Sequence, residues 1–116
     1  MHNYKELKVW QKSRALVKEV YDFLKQLNSD EKYGLVAQIK RCVISIPSNI
    51  AEGAGRETKK DFNRFLDITL GSAFELETQV ILLFDLEMVD KTEFDRVNAS
   101  IQEVQRMILG LKNSMR

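Results

Sequence analysis

The chain has 116 residues and a net charge of +1, with 44% hydrophobic and 30% charged residues. This composition is typical of a helical domain with a buried core and excludes the disordered and fibrous classes. The near-neutral charge argues against avid phosphate binding, for which a domain pI above about 9 is usual. We expect one domain over residues 1–116, located in the cytoplasm without a membrane partner, because no apolar run is long enough for a membrane span and no signal peptide is visible.

Apolar residues at spacings of three and four predict four amphipathic helices and no strand. The first helix begins after Asn3, which can cap it together with Glu6, and ends before Asn28. The second runs from about Glu31 to Gly53.

The third and fourth predicted helices share a start signal. The third begins at Thr58, which can cap it together with Asp61, and continues to about Val89. The fourth begins with the same pattern at Thr92 and Asp95. Connections this short join antiparallel neighbours, so we predict an all-α, up-down-up-down four-helix bundle.

Pro47 lies inside the second predicted helix, where a proline removes one hydrogen bond and costs about 3 kcal/mol. Either the helix stops at Ile46, or it continues with a kink and a hydroxyl such as that of Ser45 approaches the freed carbonyl. The apolar row stays in phase from Cys42 to Ile50, which favours a continuous helix kinked at Pro47.

Three glycines are candidates for special backbone roles. Gly53 and Gly55 lie near the end of the second helix, where we expect glycine to supply a left-handed terminating residue. Gly71 lies inside the third helix and costs about 1 kcal/mol relative to alanine. Because Ser72 and Ala73 are also small, we expect close contact there with another helix or subunit.

Polar stripes accompany the apolar rows of the second and third helices. They consist of Gln38, Arg41, Ser45, Asn49 and Glu52 on the second helix, and of Ser72, Glu75 and Gln79 on the third. Either both stripes are solvated, or they meet in a buried network in which Arg41 pairs with Glu52 or Glu75. The spacing alone leaves both interpretations open.

Residues 45–56 and 71–78, with Phe62-Asn63-Arg64-Phe65-Leu66 between them, resemble the four-helix-bundle family named after proteins encoded in the intervening sequences of bacterial 23S rRNA genes. The resemblance implies a ring-forming homopentamer of unknown biochemical role, with room for a polar stripe between subunits. We therefore assign a structural or interface role to Arg41, Ser45, Pro47, Asn49, Glu52, Gly53, Gly71, Ser72, Glu75 and Glu77. The family is also similar to the accessory variability protein of diversity-generating retroelements, which implies a reverse transcriptase or another protein as a partner.

The first predicted helix carries the basic residues that could contact nucleic acid. They form two rows away from Trp10, with Lys5, Lys8 and Lys12 in one and Arg14, Lys18 and Lys25 in the other. A solvated lysine face is the simple interpretation, but repetition around a ring would produce a positive band that attracts RNA or DNA. Two hypotheses follow: a homo-oligomeric adaptor that binds RNA or DNA weakly, and a purely protein-binding or structural assembly.

Catalytic chemistry has little support in this sequence. A di-metal bundle site uses Glu-x-x-His pairs, and the only histidine is His2. Glu75 and Glu77 are two residues apart and point to different faces of a helix. Cys42, the only cysteine, lies on the apolar row, where we expect a small buried thiol. We predict a protein that is not an enzyme and that has no cofactor and no metal.

Overall fold

The computed structural model describes residues 2–27 and 34–115. A 3₁₀ turn at Tyr4–Glu6 precedes four helices, which are α1 (Lys8–Leu24), α2 (Leu35–Ala54), α3 (Lys59–Asp85) and α4 (Lys91–Ser114). These described residues contain no strand, and the prediction of an all-α four-helix bundle is confirmed. None of their helices combines the length and the apolar character that crossing a membrane requires.

The four helices surround one core, because each contacts the next in the sequence and α1 also contacts α4. On α2 and α3, Gly53 lies against Phe65, whereas Cys42 contacts Ser72. Residue numbers therefore rise along one of these two helices as they fall along the other, so the pair runs in opposite directions.

The core consists of the apolar rows that the spacing predicts. Its largest fully buried side chains are Phe23, Phe62, Leu16, Ile39, Ile46, Ile50, Leu66, Leu76, Leu83, Ile101, Ile108 and Val20. Burial of one such aliphatic or phenylalanine side chain contributes about 1.5–3 kcal/mol, so this core is the main source of stability.

The N-terminal segment differs from the prediction. Asn3 caps the 3₁₀ turn, where its Oδ1 accepts a hydrogen bond from the Lys5 amide at 3.2 Å. Helix α1 begins only at Lys8, and the preceding Leu7 provides no side-chain cap. Lys5 is therefore outside α1 and does not continue its basic row.

Helices α3 and α4 are each capped by a side-chain oxygen that accepts from the amide three residues later. The cap residue agrees with the prediction in α3 and differs from it in α4. Thr58 Oγ1 accepts from the Asp61 amide at 3.0 Å, which confirms the predicted cap. The cap of α4 is Asp90, whose Oδ1 accepts from the Glu93 amide at 3.1 Å, so the predicted start at Thr92 is wrong by two residues. The Asp90 spacing also satisfies the capping pattern, and aspartate caps at least as well as threonine.

The helix ends also correct the prediction. Gly55 closes α2 with φ −82°, so the expected left-handed glycine is wrong. Among the described residues, the non-glycine residue with a left-handed backbone is Glu87, with φ 59°. It follows α3, which ends at Asp85 and not at the predicted Val89. The predicted start of α2 at Glu31 lies outside the described residues.

Helix α2 continues through Pro47 without a break, as the phase of its apolar row indicates. The kink itself stays a prediction. The Ser45 hydroxyl donates to the Cys42 carbonyl at 2.6 Å, one residue before the Val43 carbonyl that Pro47 leaves without its usual donor. The expected rescue of that freed carbonyl by Ser45 is therefore wrong.

Gly53 and Gly71 occupy opposite environments. A Cβ at Gly53 would lie 2.6 Å from Phe65 Cβ and 3.0 Å from Phe62 Cδ1, so only glycine allows α2 and α3 to approach this closely. A Cβ at Gly71 would meet no atom of the described residues within 4 Å. The expected contact of Gly71 with another helix of the chain is wrong, and contact with a subunit stays a prediction.

Candidate functional site

The polar stripes of α2 and α3 face each other across an open groove with a volume of about 320 Å³. The groove is lined by Gln38, Arg41, Cys42, Ser45, Ser72, Glu75 and Gln79. The antiparallel packing of α2 on α3 brings these residues together, although they come from separate parts of the sequence. The small side chains of Cys42, Ser45 and Ser72 leave the space between the two helices unfilled.

Cys42 lies at the floor of the groove and is buried, as expected. Its Sγ is 3.0 Å from the Ser72 carbonyl oxygen and 3.2 Å from Glu75 Oε1, to which the thiol can donate. Burial, followed by the hydrogen bond and the negative charge of Glu75, raises the pKa of the Cys42 thiol to about 12. The thiol therefore stays protonated near neutral pH and is a poor nucleophile.

The buried network that Arg41 could form with Glu52 or Glu75 is not present within the described chain. Glu52 instead pairs with Arg56 at 3.5 Å on the exposed surface, where such a pair contributes about 0–1 kcal/mol. Asn49 donates through Nδ2 to the backbone oxygen four residues earlier, at 2.8 Å. The polar residues of α2 thus bond mainly to their own helix, and burial between subunits stays a prediction.

Glu77 lies on the side of α3 that faces α4, away from the groove. Its two carboxylate oxygens accept hydrogen bonds from the side-chain amides of Gln102 and Gln105, each at 3.0 Å. Glu75 therefore lines the groove between α2 and α3, whereas Glu77 forms hydrogen bonds between α3 and α4. The sequence analysis missed the two glutamines, although Gln105 interrupts the apolar pattern of α4 and this interruption was a usable signal.

The six basic residues assigned to nucleic-acid binding are all exposed. On the side of α1 that faces α4, Lys12 pairs with Glu103 at 3.5 Å. On the other side, Lys25 pairs with Asp22 at 3.1 Å, and the Arg14 guanidinium lies 5.6 Å from the centre of the Trp10 ring. The expectation that both basic rows avoid Trp10 is therefore wrong.

Helix α2 adds a cation that the sequence analysis missed. Lys40 Nζ lies 5.0 Å from the centre of the Tyr21 ring of α1, so it belongs to the same side as Arg14, Lys18 and Lys25. We call these four residues the basic edge. No periodic signal within α1 could reveal Lys40, because it comes from the neighbouring helix.

The outer face of α3 is unusually apolar. The exposed large hydrophobic residues of the described chain are Ile44, Ile68, Phe74, Ile81, Leu82, Leu86 and Leu109. Four of them lie in α3 and Leu86 directly follows it, whereas α1 carries none. We call Ile68, Phe74, Ile81, Leu82 and Leu86 the α3 outer patch; the sequence analysis missed it because these residues lie outside the main apolar row.

Within the described residues, no group of three His, Cys, Asp or Glu side chains could hold a metal ion.

A family model for the 23S rRNA-intervening sequence protein matches residues 5–110, which include most of all four helices. The chain belongs to this family. The sequence resemblance to the intervening-sequence family is thereby confirmed.

A solved relative supports the intervening-sequence assignment. The crystal structure of a protein with unknown function from the S23 ribosomal protein family of Bacteroides thetaiotaomicron VPI-5482 is similar, with a TM-score of 0.82 and 26% sequence identity. The similarity covers 89% of this chain and 96% of that chain. No curated protein matches the chain significantly. Neither the family description nor the name of the solved relative states a catalytic activity.

Proposed function

We propose that this protein is a non-catalytic, homo-oligomeric adaptor that assembles through the α3 outer patch and binds RNA or DNA weakly through the basic edge. The observation that carries the proposal is the uneven distribution of exposed large hydrophobic side chains, which are concentrated on α3 and absent from α1. The family resemblance implies five subunits in the assembly.

Self-association is supported by the number of exposed large hydrophobic side chains on α3 and directly after it. Phe74 and Leu86 are 47% and 62% exposed in the isolated chain. Clustered apolar side chains on a surface are typical of interaction sites, because their removal from water is favourable by about 25 cal/mol per Å². With 27 residues, α3 offers a strip about 40 Å long to a second copy.

Weak nucleic-acid binding is supported by the charge of the basic edge. Among the described residues near this edge, Asp22 is a nearby carboxylate and already pairs with Lys25. One copy carries too few cations for tight binding, but several copies in one assembly add their contacts to neighbouring phosphates. Contacts to phosphates position a protein without reading sequence, so we expect no sequence preference.

The state of assembly is tested by light scattering coupled to gel filtration at micromolar concentration. We expect a mass that is a multiple of the 13.5 kDa chain, and five copies if the resemblance extends to assembly. A mass near 13.5 kDa would contradict the proposal.

Nucleic-acid binding is tested by fluorescence anisotropy with labelled RNA and DNA of mixed sequence at about 50 mM salt, where screening is weak. We expect affinity to fall with salt at a logarithmic slope of about 0.9 per phosphate neutralised on duplex DNA. An assembled protein that retains neither nucleic acid would support the alternative function, a purely protein-binding or structural assembly.

A further inference from the structure

The two walls of the α2–α3 groove carry complementary hydrogen-bonding groups. Gln38 and Arg41 are one turn apart on α2 and offer amide and guanidinium donors. Glu75 and Gln79 are one turn apart on α3 and offer carboxylate and amide acceptors. A cation thus faces an anion across the groove, yet Arg41 forms no ion pair with any residue that the structure describes.

Gln79 supplies an independent sign that the groove accepts a ligand. Gln79 is only 8% exposed, and its Oε1 is buried without a hydrogen-bond partner among the residues that the structure describes. A buried acceptor without a donor is costly and rare in native proteins. Rotation about the last side-chain torsion, which is broad and roughly two-fold, exchanges the positions of Oε1 and Nε2 and so brings the oxygen to the side of the groove.

We propose that the α2–α3 groove binds a small α-amino acid. The ammonium group donates to the carboxylate of Glu75 and to Oε1 of Gln79, while the carboxylate accepts from the guanidinium of Arg41 and the amide of Gln38. The bond from the Cys42 thiol to Glu75 Oε1 holds that carboxylate in place and leaves its second oxygen for the ligand.

Charge and size favour this class of ligand over others. The groove has one positive and one negative side chain, so a zwitterion compensates both, whereas a simple anion or cation compensates one and is repelled by the other. Its volume is near the lower end of the range for small-molecule sites, about 300–1,000 Å³, which fits a ligand of few atoms. Glu75 is seven residues from both Ile68 and Leu82, so the groove borders the α3 outer patch, and the test uses the full chain in its own state of assembly.

Isothermal titration calorimetry of the full chain tests the proposal with glycine, L-alanine and L-serine, each up to about 10 mM. Ethylamine and propionate serve as matched probes, because each is alanine without one of its two charged groups. We expect saturable binding of at least one amino acid, and no saturable binding of either probe. The proposal is overturned if no amino acid binds, or if ethylamine or propionate binds as tightly as alanine.

Three variants and one control locate the site. Glu75→Gln and Arg41→Gln should each weaken binding about tenfold or more, because each removes a hydrogen bond between charged groups, whereas Arg106→Gln on the exposed surface of α4 should bind like the parent. Gln79→Met should lose binding while its melting temperature stays equal or rises, because it removes an unpartnered buried oxygen. Parent-like binding by both Glu75→Gln and Arg41→Gln would place any amino acid elsewhere and overturn the proposal.

Discussion

The outer faces of α1 and α3 differ more than their inner faces do. Both helices bury an apolar row in the same core, but the outer face of α1 is charged and α3 exposes Ile68, Phe74, Ile81 and Leu82. The core requires only the inner rows, so the fold does not explain the apolar outer face of α3. Under the proposed function, α3 packs against a second copy, whereas α1 stays accessible to water and nucleic acid.

The largest effect is expected from adding charges to the exposed apolar face of α3, so that it resembles the outer face of α1. Phe74→Glu combined with Ile81→Glu, seven residues apart on one side of the helix, should reduce the assembly to a mass of 13.5 kDa, because charges would be buried without partners. The control is Ala15→Glu with Ala99→Glu, which adds the same charge on exposed positions of α1 and α4 and should keep the parent mass. Equal masses for both pairs in light scattering would contradict an interface on α3.

The next test separates the two sides of α1. Arg14→Glu with Lys18→Glu, on the basic edge, should reduce affinity for DNA about tenfold or more at about 50 mM salt. Lys8→Glu with Lys12→Glu should have a smaller effect, because Lys12 already pairs with Glu103. Fluorescence anisotropy measures the DNA affinity of both double variants. Equal losses of affinity would mean that DNA contacts the basic residues on both sides of α1 and not the basic edge alone.

Two glycine substitutions sharpen the contrast between the inner and outer faces of the α2–α3 pair. Gly53→Ala should lower the free energy of unfolding by about 1–3 kcal/mol, because the new Cβ overlaps Phe65. Gly71→Ala should raise it by about 1 kcal/mol, since its surroundings are open and alanine favours a helix. Urea denaturation of both variants checks the signs, and a destabilised Gly71→Ala would show that the outer face of α3 is packed in the working protein.

The smallest expected effect concerns the Cys42 thiol. Its pKa rises from 9.0 to about 12 on folding, so between these values the folded state holds a proton that the unfolded state has lost. Stability contributed by the protonated thiol is therefore complete below pH 9 and falls as the pH rises toward 12, by at most about 1.4 kcal/mol per pH unit. Cys42→Ala should show a flatter decline in urea denaturation between pH 9 and 10.5, and an unchanged slope would mean that other groups cause it.

The inner structure was predictable because helical burial repeats every three to four residues, so the rows through Ile39, Ile46 and Ile50 identify α2 directly. Caps were less certain, because Asp90 and Thr92 both satisfy the capping pattern. The two stripes of the groove were visible in the sequence, but their partners were not. Whether Arg41 reaches Glu75 depends on the distance between helices, which periodicity does not encode.

The functional surfaces were harder to predict for a related reason. The basic edge includes Lys40 from α2, and the α3 outer patch consists of residues that interrupt the periodic pattern. Spacing within one helix cannot show which cations meet across two helices. Spacing places Phe65 beside the apolar row and Phe74 outside it, but it does not show whether another surface covers Phe74.

The close approach at Gly53 has a consequence for the order of folding. Gly53 and Phe65 are 12 residues apart in the sequence, whereas Arg96 and Glu19, which join α4 to α1, are separated by 77. Closing the shorter loop costs about 1.6 kcal/mol less in chain entropy. We therefore expect the contact between α2 and α3 at Gly53 to form earlier in folding than the contact between α1 and α4.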